Sequence, residues 1–441
     1  MELDAVVLFD ALSQQKIAGL TAGERAVRVA RRAGATRVLV VDRVRDPLPA
    51  WRGARRCPLL VLRADQLVHP PLVTPLIAAP PADGLAIAVG PDGGYAGALL
   101  ATGDRAGPVI AALARGDADA AIAETATLRV PHGEIARHAI ATIDDRRAAH
   151  RLLYRILIKP QDNAITRILY RPISSPLTRL LVWTPITPNQ ISYLVAAIVA
   201  LGCWLTASAS PARVVAGTAA ILGAAYLDCC DGEVARIKLL SSRFGAWVDT
   251  VVDELSSVGY MAALGWHCHL AYGPRSLGAL GFDPWLAGIA IGVVTYGGAM
   301  YCIYYNIIVG VGSANSQDYA GSFEVVPGGE LGTVRLRPAV AAPIAPRRAQ
   351  PGWLTAIATY APYVVRRDFL SWAALGFAVL DATAPLFAGL VLGGIVTFVI
   401  VAIDHIRLRR LLQSIARGGQ ILEPSSRSRS VRRVTGAQPG M

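Results

Sequence analysis

The second half of the chain contains several stretches of roughly twenty mainly apolar residues, the length that an α-helix needs to cross a bilayer core of about 30 Å. We place six such spans near residues 189–208, 212–231, 246–271, 284–310, 368–384 and 386–406. The sequence therefore predicts an α-helical membrane domain of six transmembrane helices over residues 189–410.

The first part of the chain has the mixed apolar and charged composition of a soluble domain. A helix behind an N-cap-type threonine is predicted at Thr21–Arg32. Four runs have strand character: Ala5–Phe9, Arg37–Val41, Pro58–Leu62 and Leu85–Val89. The runs Arg37–Val41 and Pro58–Leu62 suit a parallel sheet covered on both faces. Residues 1–145 are predicted to be a soluble α/β, Rossmann-like domain, and residues 146–188 a basic amphipathic juxtamembrane segment.

The formal net charge of +12 is concentrated beside the apolar spans. This placement is typical of segments that flank a membrane near anionic lipid, so we expect a lipid bilayer and no nucleic acid as partner. Basic residues are also more numerous in every second connection between the spans, such as the one that contains Arg236, Lys238 and Arg243. With an even number of spans, this predicts an inner or cytoplasmic membrane protein with its active site and both termini in the cytoplasm.

Three further patterns concern the loop and tail segments, the cysteines, and the histidines and tyrosine of the predicted spans. Residues 312–351, rich in Gly, Pro and Ala, are predicted to be a flexible cytoplasmic loop, and residues 411–441 a basic, disordered tail. The six cysteines form no regular framework, so neither a disulfide scaffold nor a zinc site is expected. His267 and His269 are expected to be interfacial histidines, and Tyr304 part of an aromatic belt or a helix contact.

Four aspartates lie in two successive spans: Asp228, Asp231, Asp249 and Asp253. The first two are three residues apart and the last two are four apart, so each pair shares one helix face. A short turn over residues 237–244 lets the helices pack antiparallel, with the carboxylates converging. Carboxylates in a membrane are costly unless they are compensated, and hard cations such as Mg²⁺ or Mn²⁺ bind carboxylate and phosphate oxygens. Helix caps or surface charges would not explain four aspartates in register.

Small and basic residues surround the aspartates. Gly232 and Ala235 lie four residues after Asp228 and Asp231, where their lack of bulk would let a nucleotide approach the backbone. Arg236 stands at the predicted helix end, placed to meet a diphosphate. Gly245 precedes Asp249 by four residues and would allow close helix packing.

On these residues the chain resembles the CDP-alcohol phosphotransferase (CDP-alcohol phosphatidyltransferase) family over about residues 150–410. The segment matches D-x-x-D-G-x-x-A-R, eight residues, then G-x-x-x-D-x-x-x-D. The resemblance implies that the first three aspartates bind metal, two ions per site, and that Asp253 is the base for the acceptor and also touches metal. It further implies a CDP-alcohol site formed by Asp228, Gly232, Ala235, Arg236, Gly245 and Asn189 of the Pro188-Asn189 element.

The implied activity is transfer of an alcohol phosphate from a CDP-alcohol to a hydroxyl acceptor, with release of CMP. Both CDP-diacylglycerol and a CDP-polyol such as CDP-inositol stay open as donors, and so does a homodimer. The alternatives are a membrane transporter, which would more often contain repeated halves, and a non-catalytic scaffold.

The N-terminal domain resembles a degenerate nucleotidyltransferase of the sugar- or inositol-phosphate cytidylyltransferase type. Asp65, at the end of VLRAD, resembles that family's metal aspartate, and Thr142–Ala149 its closing element. The Gly-rich phosphate loop is missing, and residues 10–16 stand in its place. We predict an inactive domain, with residual nucleotide binding as the alternative.

The combination of the two domains resembles bifunctional enzymes that make CDP-inositol and join it to inositol phosphate, which implies a phosphorylated polyol acceptor. Four basic residues are candidates for binding the acceptor's phosphate, or alternatively membrane anchors: Arg366, Arg367, Lys159 and Arg179.

Overall fold

The computed structural model describes residues 2–42, 47–53, 55–158, 166–273, 282–312, 318–329, 332–339 and 367–423. The chain divides into two compact units. The first contains Met1–Ile191 and Leu227–Ala246, and the second contains Ser192–Tyr226 and Trp247–Met441.

A six-stranded mixed sheet forms the centre of the N-terminal domain. Its strands are β1 (Leu3–Leu8), β4 (Ala35–Val41), β5 (Leu59–Arg63), β7 (Gly84–Val89), β8 (Tyr95–Thr102) and β9 (Leu128–Pro131), in the order β4-β1-β5-β8-β7-β9. Short strands β2 (Lys16–Ile17), β3 (Leu20–Thr21), β6 (Gln66–Val68) and β10 (Arg137–Ala139) form two further ribbons. The four predicted strands are confirmed.

The parallel arrangement expected of β4 and β5 is confirmed, since both pair with β1 in parallel, but the unpredicted strand β8 makes the sheet mixed. This strand runs antiparallel to both β5 and β7, whereas β1 is parallel to β4 and β5. A tight turn causes the reversal, because Gly90 N–H donates to the Gly94 carbonyl at 2.9 Å and Gly93 adopts φ +74°. A left-handed residue at this turn favours glycine, and the chain has one there.

Helices cover both faces of the sheet. Alternate residues of β1 and β5 point to opposite sides, so Ala5 and Leu60 belong to one core and Val6 and Val61 to the other. Helix α1 (Ala22–Arg32) contributes to the first core, with Thr21 Oγ1 accepting from Glu24 N–H at 3.1 Å as the predicted N-cap. The remaining helices of this region are α2 (Pro47–Arg52), α3 (Thr74–Ala78), α4 (Ala106–Arg115), α5 (Asp119–Glu124), α6 (Ile143–Tyr154) and α7 (Arg171–Leu181).

Six longer helices follow in the sequence. They are α8 (Pro188–Thr206), α9 (Pro211–Ile237), α10 (Arg243–Tyr272), α11 (Pro284–Tyr305), α12 (Arg367–Val379) and α13 (Thr383–Arg417). Within the described ranges, four segments are long and apolar enough to cross a membrane: Pro188–Thr206, Pro211–Ile237, Pro284–Val311 and Thr383–Arg417. Helix α10 has 30 residues but is not among them, and α12 has 13. Six transmembrane spans therefore stay a prediction.

A small sheet forms where the sequence predicts a flexible loop and a disordered tail. Strands β11 (Phe323–Pro327) and β12 (Thr333–Pro338) form an antiparallel hairpin, and β13 (Ile421–Leu422) joins β12 in parallel. Helix α13 also continues to Arg417, so residues 411–423 are ordered. Both expectations are thus wrong for these parts, which are strand or helix; the hairpin aligns Val325 with Leu336 and Val326 with Arg335.

The residue after β13 fastens this small sheet. The Glu423 carboxylate accepts from Thr333 Oγ1 at 2.7 Å and from Gly329 N–H at 2.8 Å, and it pairs with Arg335. The hydrogen bond from Thr333 and the contact with Arg335 lower the pKa of Glu423 to about 2. Glu423 is therefore ionised at neutral pH.

Candidate active site

Helix α9 carries the first half of the aspartate motif near its C-terminal end. The helix continues past the predicted boundary at residue 231 and ends at Ile237, so Arg236 lies in its last turn. Asp228 is half-buried, whereas Asp231 has 6% of its surface exposed. Helix α10, which starts at Arg243 after the loop of residues 238–242, carries the second half.

Three of the four aspartates come together. The carboxylate oxygens of Asp228, Asp231 and Asp249 all lie within 4.8 Å of one another. This group supplies only carboxylate oxygens, the ligands preferred by hard divalent cations such as Mg²⁺. The chemistry of the donor set therefore fits the predicted metal.

Asp253 lies about one helical turn after Asp249 on α10 and is half-buried. It does not belong to the group of three. Its predicted role as base needs proximity to an acceptor rather than to all three carboxylates, so that role stays a prediction.

Two of the residues predicted to bind the CDP-alcohol, Gly232 and Gly245, lie close to other side chains. A Cβ atom on Gly232 would lie 3.4 Å from Arg236 Nη1, so the guanidinium lies over this glycine. A Cβ atom on Gly245 would lie 2.9 Å from Asn189 Oδ1 and 3.1 Å from Ser242 Oγ. Gly245 and Asn189, which come from separate parts of the motif, are therefore neighbours, and a side chain at 245 would displace Asn189. Ala235 is half-buried on the same helix as Gly232.

Glu233 is a buried acid that the sequence analysis missed. It lies inside the motif, is fully buried, forms an ion pair with Arg171 and accepts from Ser174 Oγ at 3.2 Å. Arg171 and Ser174 belong to α7, whose Ser174 and Thr178 side chains are also fully buried. One face of the predicted amphipathic segment thus packs against the motif helix, and the small polar pair at positions 174 and 178 was the available signal.

Glu254, next to Asp253, was also missed. Its carboxylate accepts hydrogen bonds from the hydroxyls of Tyr296 and Tyr304, the latter at 3.3 Å. Both tyrosines lie on α11, so Tyr304 makes the helix contact that was one of its two predicted roles. The contact joins α10 to α11 at the residue next to Asp253.

The two histidines of α10 have structural partners. His267 is 1% exposed, with Nδ1 2.6 Å from the Ser208 carbonyl and Nε2 3.0 Å from Thr383 Oγ1. The ring of His267 therefore joins three chain segments, while its interfacial position in a membrane stays a prediction. His269 pairs with Asp283, the N-cap of α11. Neither histidine belongs to a potential metal group among the described residues.

Of the four candidates for an acceptor phosphate, only the side chain of Arg179 lies among those that the structure describes, so the acceptor site stays a prediction. Arg179 lies on α7 with its guanidinium carbon 5.1 Å from the centroid of the Tyr154 ring. Arg367 is the first residue of α12. Lys159 and Arg366 lie outside the described residues.

At two positions where the N-terminal domain resembles a nucleotide site, the polar groups already have partners within the domain. The Asp10 carboxylate accepts from the backbone N–H groups of Leu12 and Ser13 at 2.9 and 3.1 Å, so these amides are already bonded. Asp65 forms an ion pair with Arg63 from the same strand end, with Arg63 Nε 3.1 Å from Asp65 Oδ1. Both features oppose the binding of a triphosphate with its metal.

Comparison with known proteins assigns the helical region. Residues 185–334 match the family model for CDP-alcohol phosphatidyltransferase. Three similar proteins are each named bifunctional IPC transferase and DIPP synthase. The one from Aquifex aeolicus is 31% identical over 156 residues (35% of this chain, 33% of the relative), and that from Rubrobacter xylanophilus is 34% identical over 149 (34% and 32%). The one from Thermococcus kodakarensis is 31% identical over 126 (28% of each).

The matches span about a third or less of these relatives' length. The family match, in contrast, contains the whole aspartate motif with its group of three carboxylates. Residues 185–334 are therefore the part of the chain that is similar to CDP-alcohol phosphatidyltransferases, and they contain the three grouped aspartates.

Proposed function

We propose that the chain transfers the alcohol-phosphate group of a CDP-alcohol to a hydroxyl acceptor and releases CMP. The observation that carries the proposal is the group of carboxylates from Asp228, Asp231 and Asp249, within 4.8 Å of one another inside the region that matches the family. A non-catalytic scaffold would not need these side chains, and a transporter would not need them beside Gly232 and Arg236.

The three clustered aspartates would hold divalent cations, Mg²⁺ or Mn²⁺, with two ions per site. Bound cations would offset the charge of the diphosphate and the charge that grows on the leaving oxygen. Arg236 supports the same diphosphate, because its guanidinium lies over Gly232 and can donate hydrogen bonds to phosphate oxygens. Gly232 leaves room for the cytidine portion near the backbone of α9.

Asp253 is proposed as the base that accepts the proton of the acceptor hydroxyl. The acceptor oxygen then forms a bond to the phosphorus that carries the alcohol, and the bond from this phosphorus to the CMP oxygen breaks. The hydrogen bonds from Tyr296 and Tyr304 to Glu254 support the role of Asp253, because they hold the neighbouring residue and limit rotation of the helix.

We infer that the acceptor is a phosphorylated polyol such as inositol phosphate, with CDP-inositol and CDP-diacylglycerol as the donors to compare. The names of the similar proteins, bifunctional IPC transferase and DIPP synthase, support this class. The bonded amides after Asp10 and the pairing of Asp65 with Arg63 favour an N-terminal domain without cytidylyltransferase activity. A separate enzyme would then supply the CDP-alcohol from CTP. The active site and both termini are proposed to face the cytoplasm, and the homodimer stays a prediction.

The test uses the purified full chain in lipid nanodiscs with Mg²⁺, CDP-inositol or CDP-diacylglycerol, and inositol phosphate. CMP is quantified by chromatography and the second product by mass spectrometry. We expect CMP release that requires an acceptor and disappears in excess EDTA. Full turnover in EDTA would contradict the metal assignment. Absence of CMP release with either donor, combined with uptake of a donor into proteoliposomes, would favour a transporter.

A further inference from the structure

Helix α1 of the N-terminal domain contacts the C-terminal end of α9 through a buried arginine. Arg25 is fully buried; its Nη1 donates to the Ile237 carbonyl at 2.8 Å and its Nη2 donates to the Ile17 carbonyl at 3.2 Å. Ile237 is the last residue of α9 and directly follows Arg236. Carbonyls in the last turn of a helix have no partner within the helix, and a cation there is favoured by the helix dipole.

A second arginine of α1 binds the next carbonyl. Arg28 Nη1 donates to the Lys238 carbonyl at 2.6 Å, and its Nη2 pairs with Glu24 at 2.5 Å. Two successive carbonyls at the end of the motif helix thus accept from two arginines one turn apart on α1. Arg25 and Arg28 are three residues apart in the sequence, so they lie on the same face of α1.

The loop after α9 is held from two further directions. Leu239 adopts a left-handed conformation, φ +56°, and packs against the hydrophobic core beneath α1. Lys238 Nζ donates to the carbonyls of Thr184 and Ile186 at 2.6 and 3.0 Å, directly before α8. A non-glycine residue with positive φ costs free energy, so its surroundings must hold it there.

The N-terminal domain also touches the segment that leads to α8. A Cβ atom on Gly19 would lie 1.7 Å from the Val182 carbonyl oxygen, so this loop and the end of α7 are in direct backbone contact. The contacts of Gly19, Arg25 and Arg28 therefore connect the N-terminal domain to the segment before α8 and to the end of α9, which lies within the CDP-alcohol motif.

We propose that Arg25 and Arg28 are positioning residues that hold the last turn of α9, and hence Arg236, in the orientation that binds the diphosphate of the CDP-alcohol. The proposal rests on the proposed function and gives the N-terminal domain a role that needs no nucleotide site of its own. Burying a guanidinium is costly unless its hydrogen bonds are made, and apolar residues would pack the domains at lower cost. Burial lowers the pKa of Arg25 to about 10, so it remains a cation at neutral pH.

The test compares the full-chain variants Arg25→Met, Arg25→Lys and Arg28→Met with wild type. Arg31→Met is the matched control, because Arg31 is exposed on the same helix. For Arg25→Met we expect KM for the CDP-alcohol to rise about tenfold, the loss of one or two charge-assisted hydrogen bonds, with a smaller change in kcat. Arg25→Lys should recover part of the loss, and Arg31→Met should match wild type.

Hydrogen exchange in the same samples gives a readout that does not require activity. The amides of residues 236–242 should exchange faster in Arg25→Met, while β1 and β5 keep wild-type protection. Wild-type KM together with wild-type exchange in Arg25→Met would overturn the proposal. If β1 and β5 also lose protection, Arg28→Met decides: a raised KM with an intact sheet supports the proposal, and a wild-type KM refutes it. Absence of CMP release by the wild type would instead count against the proposed function, and the exchange data would still test the contact.

Discussion

The side chains of the motif show what fixed spacing within a helix can and cannot reveal. Asp228 and Asp231 share a face because three residues make almost one turn, so their proximity follows from the sequence alone. Arg171 and Glu233 form a buried pair across 62 residues of chain, and no local pattern links them. The proximity of these two carboxylates was therefore predictable, whereas the ion pair beside them was not.

Substitutions of two aspartates should separate metal binding from proton transfer. We expect Asp228→Asn to lose both Mg²⁺-dependent nucleotide binding and turnover, because it removes a charged ligand from the group of three. Asp253→Asn should keep most of the nucleotide affinity and lose turnover by about 10² or more, the usual contribution of a positioned base. Calorimetric titration with CMP and Mg²⁺ and the CMP-release assay measure the two quantities. Asp144→Asn, at an exposed site, is the control, and an unchanged kcat in Asp253→Asn would contradict the proposed base.

The buried pair should make a measurable contribution to stability. Glu233→Gln leaves the Arg171 guanidinium beside a neutral group, with 10% of the Arg171 side chain exposed. Breaking such a pair typically costs about 3 kcal/mol, so the midpoint of thermal unfolding in detergent should fall. The double variant Glu233→Gln/Arg171→Met should recover part of that loss, since it also removes the guanidinium that has lost its carboxylate partner. A wild-type midpoint in Glu233→Gln alone would show that the pair is dispensable.

At the level of helices and strands, periodic patterns located the elements better than their directions or ends. The strands at Ala5–Phe9 and Pro58–Leu62 were found within a residue or two, yet the antiparallel β8 was missed. Its reversal depends on the turn at Gly93 rather than on apolar alternation. Similarly, the end of α9 at Ile237 was missed: the carbonyls of Ile237 and Lys238 accept from arginines of α1, and these partners lie more than 200 residues earlier in the sequence.

The loop between α9 and α10 should face the cytoplasm. Ser241 is exposed in this loop, and Ala209 is exposed in the connection between α8 and α9. After replacement of the native cysteines, Ser241→Cys should resist an impermeant thiol reagent in intact cells and react after lysis, whereas Ala209→Cys should react in both. The expectation follows from the basic residues Lys238 and Arg243 around Ser241. The opposite labelling pattern would reverse the orientation and the proposed supply of substrate.

For the whole molecule, the N-terminal α/β domain is confirmed, and its inactivity as a nucleotidyltransferase stays a prediction. Its fold class was predictable from strand and helix patterns, and the missing phosphate loop was visible in the sequence. What replaces the loop was not predictable, because the hydrogen bonds of Asp10 depend on the backbone conformation of residues 11–14. The contacts of Arg25 and Arg28 were equally hidden, since both residues look like ordinary surface charges on an amphipathic helix.

The full chain should not form a CDP-alcohol from CTP. The amides of Leu12 and Ser13 are bonded to Asp10, and Arg63 neutralises Asp65, so neither phosphate nor metal finds its partners. Diphosphate release in the presence of CTP, Mg²⁺ and inositol phosphate is the measurement, with an active cytidylyltransferase as the positive control. Release above the level of a protein-free sample would show that the domain is catalytic.

The small sheet at the end of α13 has a practical consequence for anyone who fuses a reporter to this chain. Ile421 N–H donates to the Gly332 carbonyl and Glu423 N–H to the Val334 carbonyl, so the last described residues are hydrogen-bonded to the hairpin. A fluorescent protein that replaces the residues after Arg417 would remove these hydrogen bonds and the ion pair between Arg335 and Glu423. Joined beyond Glu423, the same reporter would leave every one of these bonds in place.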